Sequence, residues 1–183
     1  MHLVNETDGI TFDLIFYIVI AVIIIIYIGY IVFSFSFMSI FKKKIVTGQR
    51  AINVLIFQKA DCLFAVLKYF EDIYKDNEVI KKFLNNDTLK VYNTLKPSDF
   101  HDLNIYLELV YKEIKKIYAT NLIVRDLENI KSKFSLIDDI NNRYFVNTQI
   151  YNGNVLAYTY WRNLLMTKYI KNIFKVENIE SIK

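Results

Sequence analysis

The chain has one cysteine, one proline and four glycines in 183 residues. A single cysteine, Cys62, excludes an intramolecular disulfide and is compatible with a reducing compartment. Turns draw on glycine and proline, so their scarcity argues against a protein of many short strands and for long helices with few connections. Charge is missing locally as well. From Leu14 to Phe41, 28 residues, there is no Asp, Glu, Lys, Arg or His, and no Lys or Arg precedes Lys42. Histidine is confined to His2 and His101, and no Gly-rich phosphate loop is present.

The uncharged stretch is also strongly apolar, with Phe16 to Ile28 interrupted only by Tyr17, Ala21 and Tyr27 among aliphatics. A bilayer core about 30 Å thick takes roughly 20 such residues as a helix. A segment crossing lipid alone can satisfy its own amides only as a helix. A cleaved signal peptide would have a basic start, a shorter apolar core and a small-residue cleavage site. Here the start is acidic (Glu6, Asp8, Asp13) and no Ala-x-Ala pattern follows the run. The expectation is a retained transmembrane anchor over 14–41, after a short extracytoplasmic tail at 1–13. Lys42, Lys43 and Lys44 follow the span directly, and basic residues beside a span stay on the cytoplasmic side. This predicts a single-pass protein of the cell membrane, its N-terminus outside and its body cytoplasmic.

All 23 Lys and Arg lie after Phe41 with 16 of the 19 acids, leaving the body at +7. That balance favours the vicinity of anionic headgroups. The bases are scattered and no nucleic-acid-binding motif accompanies them, so nucleic acid is not an expected partner.

Four amphipathic segments follow. In the first, from about Lys42 to Lys75, Ile45, Ile52, Leu55, Ile56, Leu63, Val66, Phe70 and Ile73 recur at three- and four-residue steps. A weaker second runs from Glu78 to Lys96, with a polar interruption at Asn85-Asn86-Asp87. Lys96-Pro97-Ser98-Asp99 then breaks the chain and caps a third helix carrying Leu103, Tyr106, Leu107, Val110, Ile114 and Ile117. In the fourth, Ile123, Ile130, Ile137, Tyr144 and Tyr151 are spaced by seven, with Leu127, Phe134, Asn141 and Thr148 interleaved, a heptad stripe of coiled-coil type. Such stripes can be buried only against one another. The predicted fold class is all-α: an N-terminal transmembrane helix followed by an antiparallel bundle of long helices over 42–176, with a C-terminal tail at 177–183.

Residues able to carry chemistry are few. Cys62 lies among apolar neighbours and reads as a buried structural thiol. Asp138 and Asp139 are adjacent on a helix and diverge by about 100°, so they do not form a carboxylate pair. The two histidines fall on opposite sides of the expected membrane and cannot share a metal. No catalytic, metal or cofactor site is expected. A polar set, Asn141, Asn147, Thr148 and Asn154, lies on or beside the seam of the fourth helix and could fix register or partner choice; exposed asparagines are the plain alternative. The C-terminal segment Tyr158–Phe174 interleaves aromatics and aliphatics with Arg162, Lys168, Lys171 and Lys175. It reads either as an arm folded on the bundle or as an interfacial membrane helix.

The order of elements and the spacing Arg143, Asn147, Ile150, Asn154, Tyr160, Asn163, Leu164 resemble the LemA family, as do Ile52-Asn53-Val54 and Asp61-Cys62-Leu63. The chain departs from the family pattern at Val146 and Gly153 (tyrosines there), at Ala157, at Trp161 (a proline there), at Asn53 and at Phe64. The resemblance implies an anchored, cytoplasm-facing helical bundle and brings no catalytic residue with it. The resulting expectation is a non-enzymatic scaffold that binds other proteins or the membrane surface. A tethered enzyme of unidentified activity, or a structural subunit of a larger membrane complex, are the alternatives.

Overall fold

The computed structural model describes the backbone over 5–69, 77–85, 97–120, 128–164 and 177–182, with side-chain environments from Leu14 and, in the third segment, from Asp99. Among these residues the regular structure is entirely α-helical: α1 (Asn5–Leu67), α2 (Glu78–Leu84), α3 (Pro97–Thr120) and α4 (Glu128–Asn163).

The all-α expectation holds. The element boundaries differ from the sequence reading. The acidic N-terminal residues are helical from Asn5, so α1 is one helix of 63 residues through the apolar run and into the body. Gly9, Gly29 and Gly48 lie within it and do not interrupt it. The helix stops at Leu67, before the predicted Lys75, where Tyr69 N–H bonds the Val66 carbonyl in a tightened last turn. The second helix is short. Asn77 caps it, its side-chain oxygen accepting from Ile80 N–H at 3.1 Å, and Asn85 N–H closes it on the Lys81 carbonyl. Pro97 occupies the first turn of α3, where its missing N–H costs nothing. Ile123, Leu127, Phe70 and Ile73 lie outside the described residues, as does most of Tyr158–Phe174 beyond Leu164.

The chain divides into two compact units, Met1–Phe41 with Ala157–Asn178, and Lys42–Leu156 with Ile179–Lys183. The second unit is the bundle. Phe64 stacks on Phe83, and Phe83 meets Tyr106, so α2 lies against both α1 and α3. Asn77 reaches Glu113 while Phe83 reaches Tyr106, so α2 and α3 run antiparallel. Tyr144 OH donates to the Phe100 carbonyl, Tyr111 OH to Asp138, and Tyr118 packs on Phe134, so α3 and α4 are antiparallel too. Ile52, Ile56, Leu63, Val66, Ile80, Phe83, Leu107, Val110, Ile114, Ile130, Ile137 and Tyr151 form the dry interior. These belong to the predicted stripes of the four helices, with Phe134 buried beside them, whereas Leu103, Tyr106 and Ile117 of the third stripe are only half-buried. Tyr144, Asn141 and Thr148 on the same stripe are only half-buried, whereas Tyr151 is fully buried.

The last residues belong to this core as well. Asn152 donates from its side-chain amide to the Ile182 carbonyl at 2.8 Å and accepts Ile182 N–H at 2.9 Å, while Tyr151 OH donates to the Glu180 carbonyl. Ile182 is buried. Glu180 and Ile182 are therefore held against α4.

In the first unit every described side chain from Leu14 to Gly29 is exposed. The 18-residue window of highest mean hydropathy reaches 3.0 with none of it buried. Burial begins with Ser34 and Met38. Trp161 stacks on Phe37 with ring centres 4.9 Å apart and meets Phe33 edge-on at 5.8 Å. Tyr158 is buried and donates to the Glu177 carbonyl.

Candidate functional site

The most distinctive polar feature of the bundle is Lys59. Its side chain is almost wholly buried, and its ammonium donates to Asn104 Oδ1 at 2.9 Å and to Glu108 Oε1. The local sequence explains the placement. Ile45, Ile52, Lys59 and Val66 are spaced by seven, so Lys59 occupies a core position of the first-helix stripe. Asn104 and Glu108 are four apart on α3 and present two acceptors on one face. Burial pushes the Lys59 ammonium below its ordinary value, and the bond and charge of Glu108 oppose that shift. The ammonium, held by a neutral oxygen and a carboxylate, ties α1 to α3 at this level of the bundle. With its side chain only 1% exposed it offers no face to a substrate. The sequence reading passed over Lys59; the signal available was a charge standing at a core heptad position.

The seven residues of the resemblance do not converge. Arg143 is exposed and pairs along the helix with Asp139 at 2.9 Å. Asn147 donates to the Arg143 carbonyl one turn back. Ile150 and Tyr160 are among the most exposed apolar residues, Asn163 is exposed, and Asn154 and Leu164 are half-buried. Arg143, Asn147, Ile150 and Asn154 share a helix face beside the buried one, whereas Tyr160, Asn163 and Leu164 lie off it. The polar set is likewise peripheral: Asn141, Asn147, Thr148 and Asn154 are all half-buried at the rim of the seam.

Cys62 is buried, and burial pushes its thiol up, away from the reactive thiolate. Asp138 accepts from Tyr111 OH at 2.8 Å and lies 3.6 Å from Lys115, whereas Asp139 bonds Arg143. The two carboxylates thus serve separate partners, as their spacing predicts. Burial, then the Asp138 bond, raises the Tyr111 phenol well above its ordinary range. An open groove between the end of α3 and the start of α4 is lined by Lys115, Tyr118, Lys131, Phe134 and Asp138, and the Lys115–Asp138 pair already spans it. Among the described residues no group of three or more His, Cys, Asp or Glu is placed to hold a metal ion. Lys42, Lys43 and Lys44 are all exposed.

The outer face of α4 is the remaining feature. Phe145, Val146, Ile150 and Leu156 are 51–73% exposed, within a run from Tyr144 to Trp161 that contains no ionisable acid or base other than tyrosine. Exposed Asn142 and Gln149 lie among these apolar side chains, so the face is mixed, and its apolar residues are the candidate contacts for a partner. No family model matches the chain, and no curated protein matches it.

Proposed function

We propose that this is a single-pass membrane protein whose helical bundle faces the cytoplasm and works as a non-enzymatic scaffold for other proteins. The observation that carries the reading is the contrast within α1: an apolar stretch with no buried side chain from Leu14 to Gly29 continues into a helix that forms the bundle core. So much bare aliphatic surface is satisfied by lipid. Lys42–Lys44 set the orientation by their charge. The apolar outer face of α4 supports partner binding and also suits a subunit of a larger complex. A tethered enzyme would need a cleft with convergent titratable groups; the pairs Lys59–Glu108 and Lys115–Asp138 join helices, and Arg143–Asp139 and Lys116–Glu113 lie along single helices. Membership of the LemA family belongs to the same proposal. The order of span and helices supports it, while the scatter of its motif residues shows no shared site.

Thiol labelling tests the topology. A Thr7→Cys variant in intact cells should react with an impermeant reagent, and Ser132→Cys should react only after permeabilisation, with buried Cys62 as the low background. The reverse pattern overturns the orientation. Crosslinking from Leu156→Cys in native membranes tests the scaffold reading, which fails if only lipid is captured.

A further inference from the structure

The apolar run is longer than a bilayer needs, and the first unit shows where the surplus goes. At 1.5 Å per residue, the 20 residues from Leu14 to Phe33 already cover the hydrocarbon core of about 30 Å. Beyond Phe33 the surroundings change. Ser34 and Met38 are buried, and the Ser34 and Ser36 hydroxyls donate to the carbonyls one turn back, at 2.9 Å each. Phe33 and Phe37 hold Trp161, and Tyr160 packs edge-on against the same indole at 5.7 Å. Next to the indole, Arg162 donates to Asn178 Oδ1 at 2.6 Å and to the Glu177 carbonyl. A guanidinium, a carboxamide and non-helical backbone at 177–178 do not belong in hydrocarbon facing lipid.

We infer that Phe33, Phe37, Tyr160 and Trp161 form an aromatic girdle seated at the cytoplasmic headgroup–acyl boundary, so that the end of α4 is a second membrane contact beside the span. The inference rests on the anchored reading of α1. Two constraints fix the depth from opposite sides. The bare aliphatics up to Val32 require lipid, and Arg162 with its partners requires the aqueous side of the boundary. Only about 6 Å of helix separates Phe33 from Phe37, matching the interfacial layer of about 5–7 Å on each side of the core. Trp and Tyr prefer that layer, with the ring in the acyl edge and the polar atom toward water. Tyr160, 62% exposed, supplies the surface that meets the headgroups. The occupant is the phospholipid leaflet that surrounds the span, and the surface is continuous with it.

The chain has one tryptophan, so its fluorescence reports on this position alone. The full-length protein is reconstituted into phosphatidylcholine–phosphatidylglycerol vesicles whose lipids carry bromine high on the acyl chain, at its middle, or near its end. Expected is the largest loss of Trp161 emission with the high bromines and the smallest with the deep ones. Moving the reporter outward, with Tyr160→Trp in a Trp161→Phe chain, should increase the loss while keeping that order. Vesicle flotation after alkaline extraction separates the two readings. A protein that does not float sinks the anchor and the girdle together. A protein that floats but shows no quenching at either position, or most quenching from the deep bromines, overturns the girdle alone.

Discussion

The two halves of α1 are built from much the same residues and meet different surroundings. From Leu14 to Gly29, isoleucine, valine and phenylalanine occur at every turn angle, and all are exposed. From Ile45 to Leu67, apolar residues at three- and four-residue steps are buried, while Arg50, Gln58 and Asp61 between them are exposed. Periodicity thus distinguishes the halves better than hydrophobicity does. A helix surrounded by lipid needs no polar face, and a helix packed on one side in water requires one. The same contrast explains why charge is absent from the first half and structural in the second, where Lys59 stands inside the core.

The largest expected effect breaks the second half at that lysine. Removing one member of a buried ion pair leaves the other uncompensated, at a cost of about 3–5 kcal/mol, so Glu108→Gln should destabilise strongly in detergent denaturation followed by circular dichroism. Replacing both members, Lys59→Met with Glu108→Leu, should recover most of the loss. Recovery with altered helix register, read by crosslinking α1 to α3, would show that the pair specifies alignment rather than stability. The pH dependence has a definite sign. The folded ammonium loses its proton more readily than the unfolded one, whose value is the ordinary 10.5. Between those two points the unfolded state binds more protons, so the Lys59 contribution to stability rises with pH, at most by about 1.4 kcal/mol per unit. Cys62 and Tyr111 act oppositely, since the folded chain keeps their protons longer and loses stability as pH rises through their ordinary values of 9.0 and 10.0. Subtracting the curve of Lys59→Met isolates the rising component; a flat difference would mean that Lys59 is solvated in the folded protein.

An isoleucine exchanged for alanine should sharpen the comparison directly. At Ile52 or Ile137, both fully buried, the substitution leaves a cavity and should cost about 2–5 kcal/mol. At Ile25, 67% exposed, the same change leaves no cavity in the bundle and should shift its unfolding by less than about 0.5 kcal/mol. Equal losses at Ile25 and Ile52 would show that the N-terminal half packs on protein instead of lipid.

Much of this architecture was legible. The uncharged run, the seven-residue spacing of Ile130, Ile137 and Tyr151, and the break at Pro97 each correspond to an observed feature. What was not legible depends on contacts between segments distant in sequence. Lys59 was passed over, because its acceptors come from α3, 45 and 49 residues away. The last residues have too few apolar side chains to predict docking, yet Ile182 is held by the carboxamide of Asn152 and Glu180 by Tyr151. The first-helix stripe was read on to Lys75, but apolar spacing alone does not mark where a helix ends without a terminating residue. The motif residues from Arg143 to Leu164 shared a spacing without sharing a face, since the step from Asn154 to Tyr160 turns the helix away.

The smallest effects come from the glycines. Gly48 sits in the helix where α1 meets α4, and a Cβ built there would lie 3.6 Å from Tyr151 Cδ2, 3.7 Å from its Cβ and 3.9 Å from its Cα. Those are ordinary contact distances, so alanine fits without moving the neighbour. Glycine within a helix is less favourable than alanine by about 0.5–1 kcal/mol, because it loses more backbone freedom on folding. Gly48→Ala should therefore raise bundle stability by about that amount. Gly48→Leu should lower it by about 1–3 kcal/mol, since a branched chain beyond Cβ runs into the Tyr151 backbone and ring. Gly29, with nothing within 4 Å of its Cβ position, should accept either residue with no change in bundle unfolding. Thermal scans of the four variants give the comparison. Stabilisation by both Gly48→Ala and Gly48→Leu would mean that α4 stands farther from α1 than Tyr151 indicates. A loss at Gly29→Leu would mean that a protein surface covers the span.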